Sequence, residues 1–465
     1  MKKYNLTITL LSCSFIFFFN WSTCSQCLIL GADLSYTNAV EANGGSYMDG
    51  NGNPVDPYVY FAEQGGDMVR IRLWHTPENI TDDCGQPIST NNLKDAIMAF
   101  QRAKAAGMQL NLAIHYGDYF NDPGKQKMPN AWMGLSHTVL LDSIYQYTYK
   151  VLDQLFAKNI LPDIVAIGNE TTWGFVDATE TTDGWQWPQD ADKFNAGLKA
   201  VDDFNADYNA FIKKAVHFTD KTAVWLTGLF KEQGITNYDI IGLSFYPVWT
   251  EFQHVEEFGA MISQLKSVHN KEVMVFETGA IWTASSGDNY NNIFDGYGPL
   301  SYPVSPQGQR DFLFDLANTV LQNGGLGVLY WEPAWVVSAL CDKWGQGSSY
   351  ENASFFNFNN NNTPLPAFEF FDFCNTINSI EETYHLQVNI FPNPNNRRGM
   401  NIKSEVLLSS WHLLAMNGQV LQKGIFEKAD SLYQIYFSDT IQNTCILTIQ
   451  TEAGKNFSRI VNFSD

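Results

Sequence analysis

The 465-residue length allows two to three domains, and a 45% hydrophobic content supplies a full core with no sign of global disorder. A net charge of −21, from 49 acidic against 28 basic residues, disfavours nucleic acid and anionic membrane surfaces as partners and makes a neutral partner the better fit. Aromatic residues reach 14%, with 13 Trp and 21 Tyr. That is more than a core of this size needs, and flat apolar faces in a polar cleft suit sugar rings, although most such rings in any protein are simply core.

The elements, taken in chain order, begin with residues 1–25. Lys2 and Lys3 precede an apolar stretch through Leu10, Leu11 and Phe15 to Phe19, and small residues Ser22, Thr23 and Ser25 follow. This is the order of a secretory signal peptide, with cleavage expected before Gln26. Lipid attachment through Cys24 is the weaker reading, because Trp21 is a poor residue for that motif. Nothing later reads as a membrane span. Export permits disulfides among the five remaining cysteines, Cys27, Cys84, Cys341, Cys374 and Cys445. The expected pairs are Cys27–Cys374, joining the two ends of a closed barrel, and Cys84–Cys341, joining two loops; buried free thiols are the alternative.

From residue 28 to about 373, short apolar strands alternate with amphipathic helices. Strand one is expected at 28–34. A helix starting at Tyr58 ends at Gly65-Gly66, and strand two follows at 68–74. Leu93, Ala96, Ile97, Phe100 and Ala103 share a helical face, and Gly107 stands where a C-terminal cap belongs. Strand three is 110–115. A helix carrying Ile144, Val151, Leu152 and Leu155 leads to strand four, which ends Ile167-Gly168-Asn169-Glu170. Phe204, Tyr208, Phe211 and Ile212 mark the next helix, and strand five is expected at 222–226. Strand six is 240–246, strand seven 273–277 and strand eight 326–332. Eight such alternations are what a (β/α)8 TIM barrel with enlarged loops requires, here over residues 26–375.

In that fold the active face lies at the strand C-terminal ends. Polar and aromatic residues cluster there: Asp33 after strand one, Arg72 and Trp74 after two, and His115 and Asp118 after three. Asn169 and Glu170 follow strand four, Tyr246 and Trp249 strand six, Glu277 strand seven, and Trp331, Glu332 and Trp335 strand eight. Each has a bland reading as a salt bridge or core plug; the pattern on seven strands of eight points to a site. Two carboxylates flanking a glycosidic bond can supply both a proton for the leaving oxygen and electron density at the anomeric carbon. One carboxylate must start ionised to attack and the other protonated, and the charge of the first nearby is the simplest cause that would hold the proton on the second. Asn169 is expected to bond a sugar hydroxyl, Tyr246 to orient Glu277 and Arg72 to hold a carboxylate. Trp331, Trp335 and Trp132 are the candidate stacking surfaces.

Eight ordered blocks carry a resemblance. They are Gly31-Ala32-Asp33-Leu34-Ser35, Val69-Arg70-Ile71-Arg72-Leu73-Trp74, His115-Tyr116-Gly117-Asp118, Asp122-Pro123-Gly124-Lys125-Gln126, Ile167-Gly168-Asn169-Glu170, Ile241-Gly242-Leu243-Ser244-Phe245-Tyr246-Pro247, Val275-Phe276-Glu277-Thr278 and Tyr330-Trp331-Glu332-Pro333-Ala334-Trp335. Residues 28–375 resemble glycoside hydrolase family 53, the secreted endo-β-1,4-galactanases. The resemblance implies Glu170 as general acid/base and Glu277 as nucleophile in a retaining double displacement, acting on galactan or type I arabinogalactan without a catalytic cofactor. Retention demands carboxyls about 5–5.5 Å apart. It also implies a possible structural calcium between the loops after strands seven and eight, with Asp288 and Asn292 as ligands; a plain solvated turn is the alternative. Gly117, where the family usually has Ser, and Thr171-Thr172-Trp173 after the acid/base are departures that bear on subsites. Retaining barrel hydrolases on mannan or glucan, or a non-catalytic glycan-binding barrel, are the competing readings.

Past Cys374 the composition shifts. Residues 376–385 read as a polar linker and 386–465 as a small all-β sandwich with a hairpin turn at Met416-Asn417-Gly418-Gln419. Phe391-Pro392-Asn393-Pro394 and the Asn-Gly-Gln turn resemble the C-terminal sorting domain of type IX secretion, which implies that machinery as a partner and a secreted or cell-surface location. A carbohydrate-binding module is the alternative, with Trp411, Tyr433 and Tyr436 as its few stacking groups.

Overall fold

The computed structural model describes residues 27–376 apart from residue 183, and the strands with parts of the connections between 388 and 463. The expected signal segment and nearly all of the linker lie outside the described residues. Eight parallel strands close into a barrel: β1 Ile29–Asp33, β2 Met68–Leu73, β3 Gln109–Ile114, β4 Ile164–Ile167, β5 Lys213–Thr219, β6 Ile240–Ser244, β7 Glu272–Glu277 and β8 Gly327–Tyr330. Closure is made by β8 on β1, with Leu30 paired to Val328. Between them run α1 Thr37–Ala42, α2 Pro57–Glu63, α3 Leu93–Ala105, α4 His137–Phe156, α5 Gln189–Tyr208, α6 Ala223–Glu232, α7 Val255–His269 and α8 Pro306–Gln322.

Alternation along each strand sorts its side chains. On β2, Val69 and Ile71 join the layer packed under the helices, while Met68 joins a separate cluster with Ala166, Met274, Phe276 and Leu329 that plugs the barrel. Arg70 and Arg72 share the Met68 face, so two guanidiniums stand above an apolar plug with almost no exposure. Gly242 makes room for that plug, because a Cβ there would stand 2.2 Å from the Phe276 ring.

The helix boundaries follow local chemistry. Asp56 caps α2 by accepting from the Tyr58 and Val59 N–H groups. Gly107, at φ +87°, follows the end of α3. The fifth strand corrects the sequence reading: it is Lys213–Thr219, and 222–226 instead opens α6. The helix α5 stops at Tyr208 with Asn209 left-handed, leaving Phe211 outside it and 85% exposed. The Lys213-Lys214 start disguises the strand. Lys214 reaches Asp202 and Asn237, so its charge is satisfied at the barrel rim.

Both expected disulfides are present: Cys27–Cys374 ties the start of the barrel to its end, and Cys84–Cys341 ties two loops. Asn359–Asn362, a low-complexity run, lies at a short antiparallel pair of β9 Phe356–Asn357 with β10 Thr363–Pro364, and a 3-10 helix, Pro366–Asp372, completes the barrel wall. Among the described residues no helix is long and apolar enough to cross a membrane.

The C-terminal region forms two antiparallel sheets. One orders β11 Val388–Phe391, β12 Gly399–Ser404 and β15 Leu432–Tyr436; the other orders β14 Val420–Ile425, β13 Leu408–Ala415, β16 Asn443–Thr451 and β17 Asn456–Phe463. Met400, Ile402 and Ile435 from the first share a core with Trp411, Leu413 and Leu447 from the second, as in a sandwich. Trp411 and Tyr433 are buried there and only Tyr436 is exposed, which leaves little for sugar stacking. The strands β13 and β14 pair antiparallel across 416–419; that turn and Pro392-Asn393-Pro394 lie outside the described residues.

Candidate active site

The last turn of β4 brings the first carboxylate out of the barrel. Gly168, at φ +86°, reverses the chain where a Cβ would meet Thr171 and Phe175 at 2.6 and 3.0 Å, and Glu170 itself is left-handed at φ +44°. Such a conformation costs a non-glycine residue of order 1–3 kcal/mol, so it persists only where neighbours enforce it. Here the Thr171 N–H donates to the His217 carbonyl at 2.9 Å, and Gln126 donates to the Asn169 carbonyl at 2.8 Å.

The second carboxylate, Glu277, ends β7 with each oxygen engaged. Oε1 pairs with Arg70 Nη2 at 2.8 Å, and Oε2 accepts from the Tyr246 hydroxyl at 2.9 Å. Arg70 also holds Asp33 at 2.6 Å and donates to Asn169 Oδ1 at 2.7 Å. Arg72 lies 3.8 Å from Asp33 and 2.6 Å from Glu332. The five groups alternate in sign as Glu277, Arg70, Asp33, Arg72 and Glu332, which is how buried charges are tolerated.

The two candidate catalytic carboxylates are treated differently. Burial raises Glu170 from the ordinary carboxylate range, and the negative charge of Glu277 is the next cause. Burial also raises Glu277, but the Arg70 guanidinium and the Tyr246 hydroxyl oppose the rise. The shared proton therefore belongs on Glu170. The sequence reading had placed the charge of Glu277 first among the causes; loss of water contact comes before it.

Both carboxylates open on one cavity of about 1100 Å³, lined also by Arg72, His115, Asn169, Tyr246, Trp331 and Trp335. That exceeds the roughly 300–1,000 Å³ of a common small-molecule pocket, so it has room for several sugar units. Trp173, Trp225, Trp249 and Trp344, each about half exposed, extend its rim. A family model, that of glycosyl hydrolase family 53, matches residues 29–371. The chain belongs to glycosyl hydrolase family 53. It is 39% identical over 347 residues to an arabinogalactan endo-β-1,4-galactanase of Cellvibrio japonicus, spanning 74% of this chain and 90% of that protein. It is 31% identical to an endo-β-1,4-galactanase of Bacillus subtilis, spanning 74% and 86%. Among solved structures, the family-53 catalytic domain of Ignisphaera aggregans superposes with a TM-score of 0.67 at 30% identity, covering 75% of this chain and 96% of that one. A fungal β-1,4-galactanase superposes at 0.63 with 27% identity, covering 74% and 99%.

Several expected contacts of this family-53 chain lie elsewhere. Trp132 does not line the cavity; it is buried against His75, Tyr116 and Tyr147 and serves as core. Asp33 is fully buried and acts on Arg70. Asp118 accepts from the Thr76 and Asn130 N–H groups and shapes a loop. Arg72 does line the cavity and holds a carboxylate, that of Glu332, while Arg70, to which the sequence reading gave no role, holds Glu277. His115 does face the cavity. Burial and the two arginines hold it well below the usual imidazole range, its Nδ1 accepts from the Asn121 N–H at 3.2 Å, and its Nε2 has no partner among the described residues. Gly117 has a local reason: a Cβ would stand 2.8 Å from the Lys127 carbonyl. His217 and Ser244, to which the sequence reading gave no role, sit 3.0 Å apart, and the other ring nitrogen of His217 lies 3.1 Å from Asn169 Oδ1.

For a cation, the only cluster of His, Cys and acidic groups within ligand reach among the described residues is Asp82 with Cys84 and Cys341, whose sulfurs are joined in a disulfide. The expected calcium ligands offer a different test. Asp288 accepts the Tyr290 and Ser348 N–H groups at 2.8 Å each. The buried Oδ1 of Asn292 and Oε2 of Glu351 have no hydrogen-bond partner among the described residues. Oxygen donors of this kind suit a hard cation, so the residues fit calcium in chemical type.

Proposed function

We propose that this chain is a secreted, retaining endo-β-1,4-galactanase that cleaves galactan or type I arabinogalactan by double displacement. The observation that carries the reading is the unequal holding of two carboxyls on one cavity. Glu277 is ion-paired and hydrogen-bonded on both oxygens, as a nucleophile needs, while Glu170 is raised and keeps a proton for the leaving oxygen. Glu277 attacks the anomeric carbon while Glu170 protonates the departing oxygen. Ester formation then removes the charge on Glu277, the pKa of Glu170 falls, and Glu170 activates water. Asn169 binds the sugar 2-hydroxyl, His115 donates Nε2–H to a sugar oxygen, and Trp331 and Trp335 form the stacking floor. The names of the relatives support β-1,4-galactan as the substrate.

Asp288, Asn292 and Glu351 would hold a structural calcium between the loops after β7 and β8, where it would tether those loops and take no part in the chemistry. Residues 386–465 serve type IX sorting after export through the periplasm; deleting them should block surface delivery and leave catalysis intact. Product analysis on β-1,4-galactan, arabinogalactan, mannan and glucan tests the substrate, and following the anomeric configuration of the first product tests retention. Cleavage confined to mannan or glucan, or an inverted first product, would refute the assignment.

A further inference from the structure

Asn169, the residue before Glu170, is held at both ends of its amide. Its Oδ1 accepts from Arg70 Nη2 at 2.7 Å and its Nδ2 donates to the Asn121 carbonyl at 2.8 Å, so oxygen and nitrogen are told apart by their partners. His217 Nδ1 lies 3.1 Å from the same Oδ1. Because Oδ1 can only accept, the hydrogen of that contact is on Nδ1. Burial, and then the Arg70 charge, hold the imidazole well below its usual range, so the ring is neutral. At the far edge of the ring Ser244 Oγ lies 3.0 Å from Nε2, and a hydroxyl can turn to serve that nitrogen. Two donors thus fill the two lone pairs of Oδ1. Of the two Nδ2 hydrogens, one is left for the cavity that Asn169 lines.

The two donors differ in independence. Arg70 Nη2 also lies 2.8 Å from Glu277 Oε1, and the same guanidinium holds Asp33, so its grip on Asn169 is shared with the nucleophile. Glu277 loses its charge on becoming an ester, which changes what Arg70 is drawn to. His217 stands on β5, a strand that bears neither carboxylate, and its carbonyl accepts the Thr171 N–H at 2.9 Å. We propose that His217 is a positioning residue whose Nδ1–H fixes the Asn169 amide, so that the free N–H of Asn169 meets the 2-hydroxyl of the sugar being cleaved both before and after the ester forms. This role rests on the reading of Asn169 as the group that binds that hydroxyl. His217 is fully buried and does not line the cavity, so it acts on the sugar only through Asn169.

The test compares two amide variants of the full-length protein. In His217→Gln the side-chain nitrogen falls where Nε2 stood, beside Ser244, and Asn169 Oδ1 loses its second donor. In His217→Asn the nitrogen falls where Nδ1 stood, and the donor is kept. Each is assayed with the wild type on an aryl β-1,4-galactobioside and on its analogue lacking the 2-hydroxyl of the sugar that bears the aryl group. His217→Gln should lower kcat/KM about 10-fold on the parent glycoside, the worth of one hydrogen bond, and leave the 2-deoxy analogue within about 2-fold of wild type. His217→Asn should stay within about 3-fold of wild type on both. An unchanged rate in His217→Gln, an equal loss on both glycosides, or a loss in His217→Asn as large as in His217→Gln overturns the proposal; equal loss is what a merely structural role would give. Should His217→Gln not fold, as judged by its melting curve, the nitrogen-15 spectrum of wild type labelled at histidine decides, with the His217 signals assigned by their loss in His217→Asn. Hydrogen on Nδ1 supports the proposal, and hydrogen on Nε2 alone overturns it. A wild type that cleaves neither glycoside nor galactan refutes the galactanase reading, and the spectrum, taken without substrate, still tests His217.

Discussion

Removing the Tyr246 hydroxyl isolates one of the two donors that hold Glu277. The tyrosine ring packs against Trp249 and Phe294 at centroid distances of 5.1 and 5.5 Å, so Tyr246→Phe keeps the packing and deletes only the O–H. Glu277 retains Arg70 at 2.8 Å, and the fold should be unaffected. A hydrogen bond to a charged group contributes about 1.5–3 kcal/mol, and one pKa unit is about 1.4 kcal/mol, so Glu277 should rise by roughly 1–2 units. The sign follows from the donor: it favours the carboxylate, and its loss favours the neutral acid. The acidic limb of kcat/KM reports ionisation of the nucleophile in free enzyme, so it should move to higher pH while the basic limb stays. The measurement is a kcat/KM profile on galactan for both proteins, with matched melting curves as the folding control. An acidic limb that stays in place or moves to lower pH would refute the assignment of Glu277 and Tyr246.

Other substitutions test neighbouring parts of the site. Glu170→Ala should recover activity on a substrate with a good leaving group, whereas Glu277→Ala should not and should instead yield an inverted glycosyl azide with added azide; ordinary activity in Glu277→Ala would remove it from the mechanism. Trp173 and Trp225, ring centroids 5.6 Å apart on the cavity rim, should matter for long substrates. Replacing both with Ala should lower kcat/KM on galactan relative to a short aryl glycoside on the order of 10-fold, from about 0.5–1.5 kcal/mol per ring. Arg72→Met leaves fully buried Glu332 unpaired and should cost about 3–5 kcal/mol, read from the denaturant midpoint. Opening Cys84–Cys341 in a Cys84→Ser, Cys341→Ser double variant frees the two loops it joins and should lower the melting temperature measured without reductant.

Much of the site was legible because barrel strands deliver their reactive groups at a fixed end. Asn169-Glu170 and Glu277 could be located from an apolar run that stops on a carboxylate, and Tyr246 from its place after β6. Arg70 escaped notice because Val69-Arg70-Ile71-Arg72 presents two equivalent arginines; only the depth of each in the closed barrel assigns one to Glu277 and the other to Glu332. His217 escaped because its strand opens on two lysines, while the more apolar 222–226 looked the better strand. Pairing with β4 and β6 decides that question, through contacts far apart in the chain. Trp132 shows the same limit from the other side, since composition says that aromatics are plentiful and says nothing about which face the cleft.

The sequence by itself determined the alternation of strands and helices, the two glutamates at strand ends, and the cysteines available for pairing, because periodicity and residue chemistry are local. Barrel closure decided the rest. It brought Glu277 within 2.8 Å of Arg70 and linked Asn169 to His217 and His217 to Ser244. It also raised Glu170, by burial first and by the charge of Glu277 second in size. Those are properties of desolvation and long-range contact, which exist only once the strands have met.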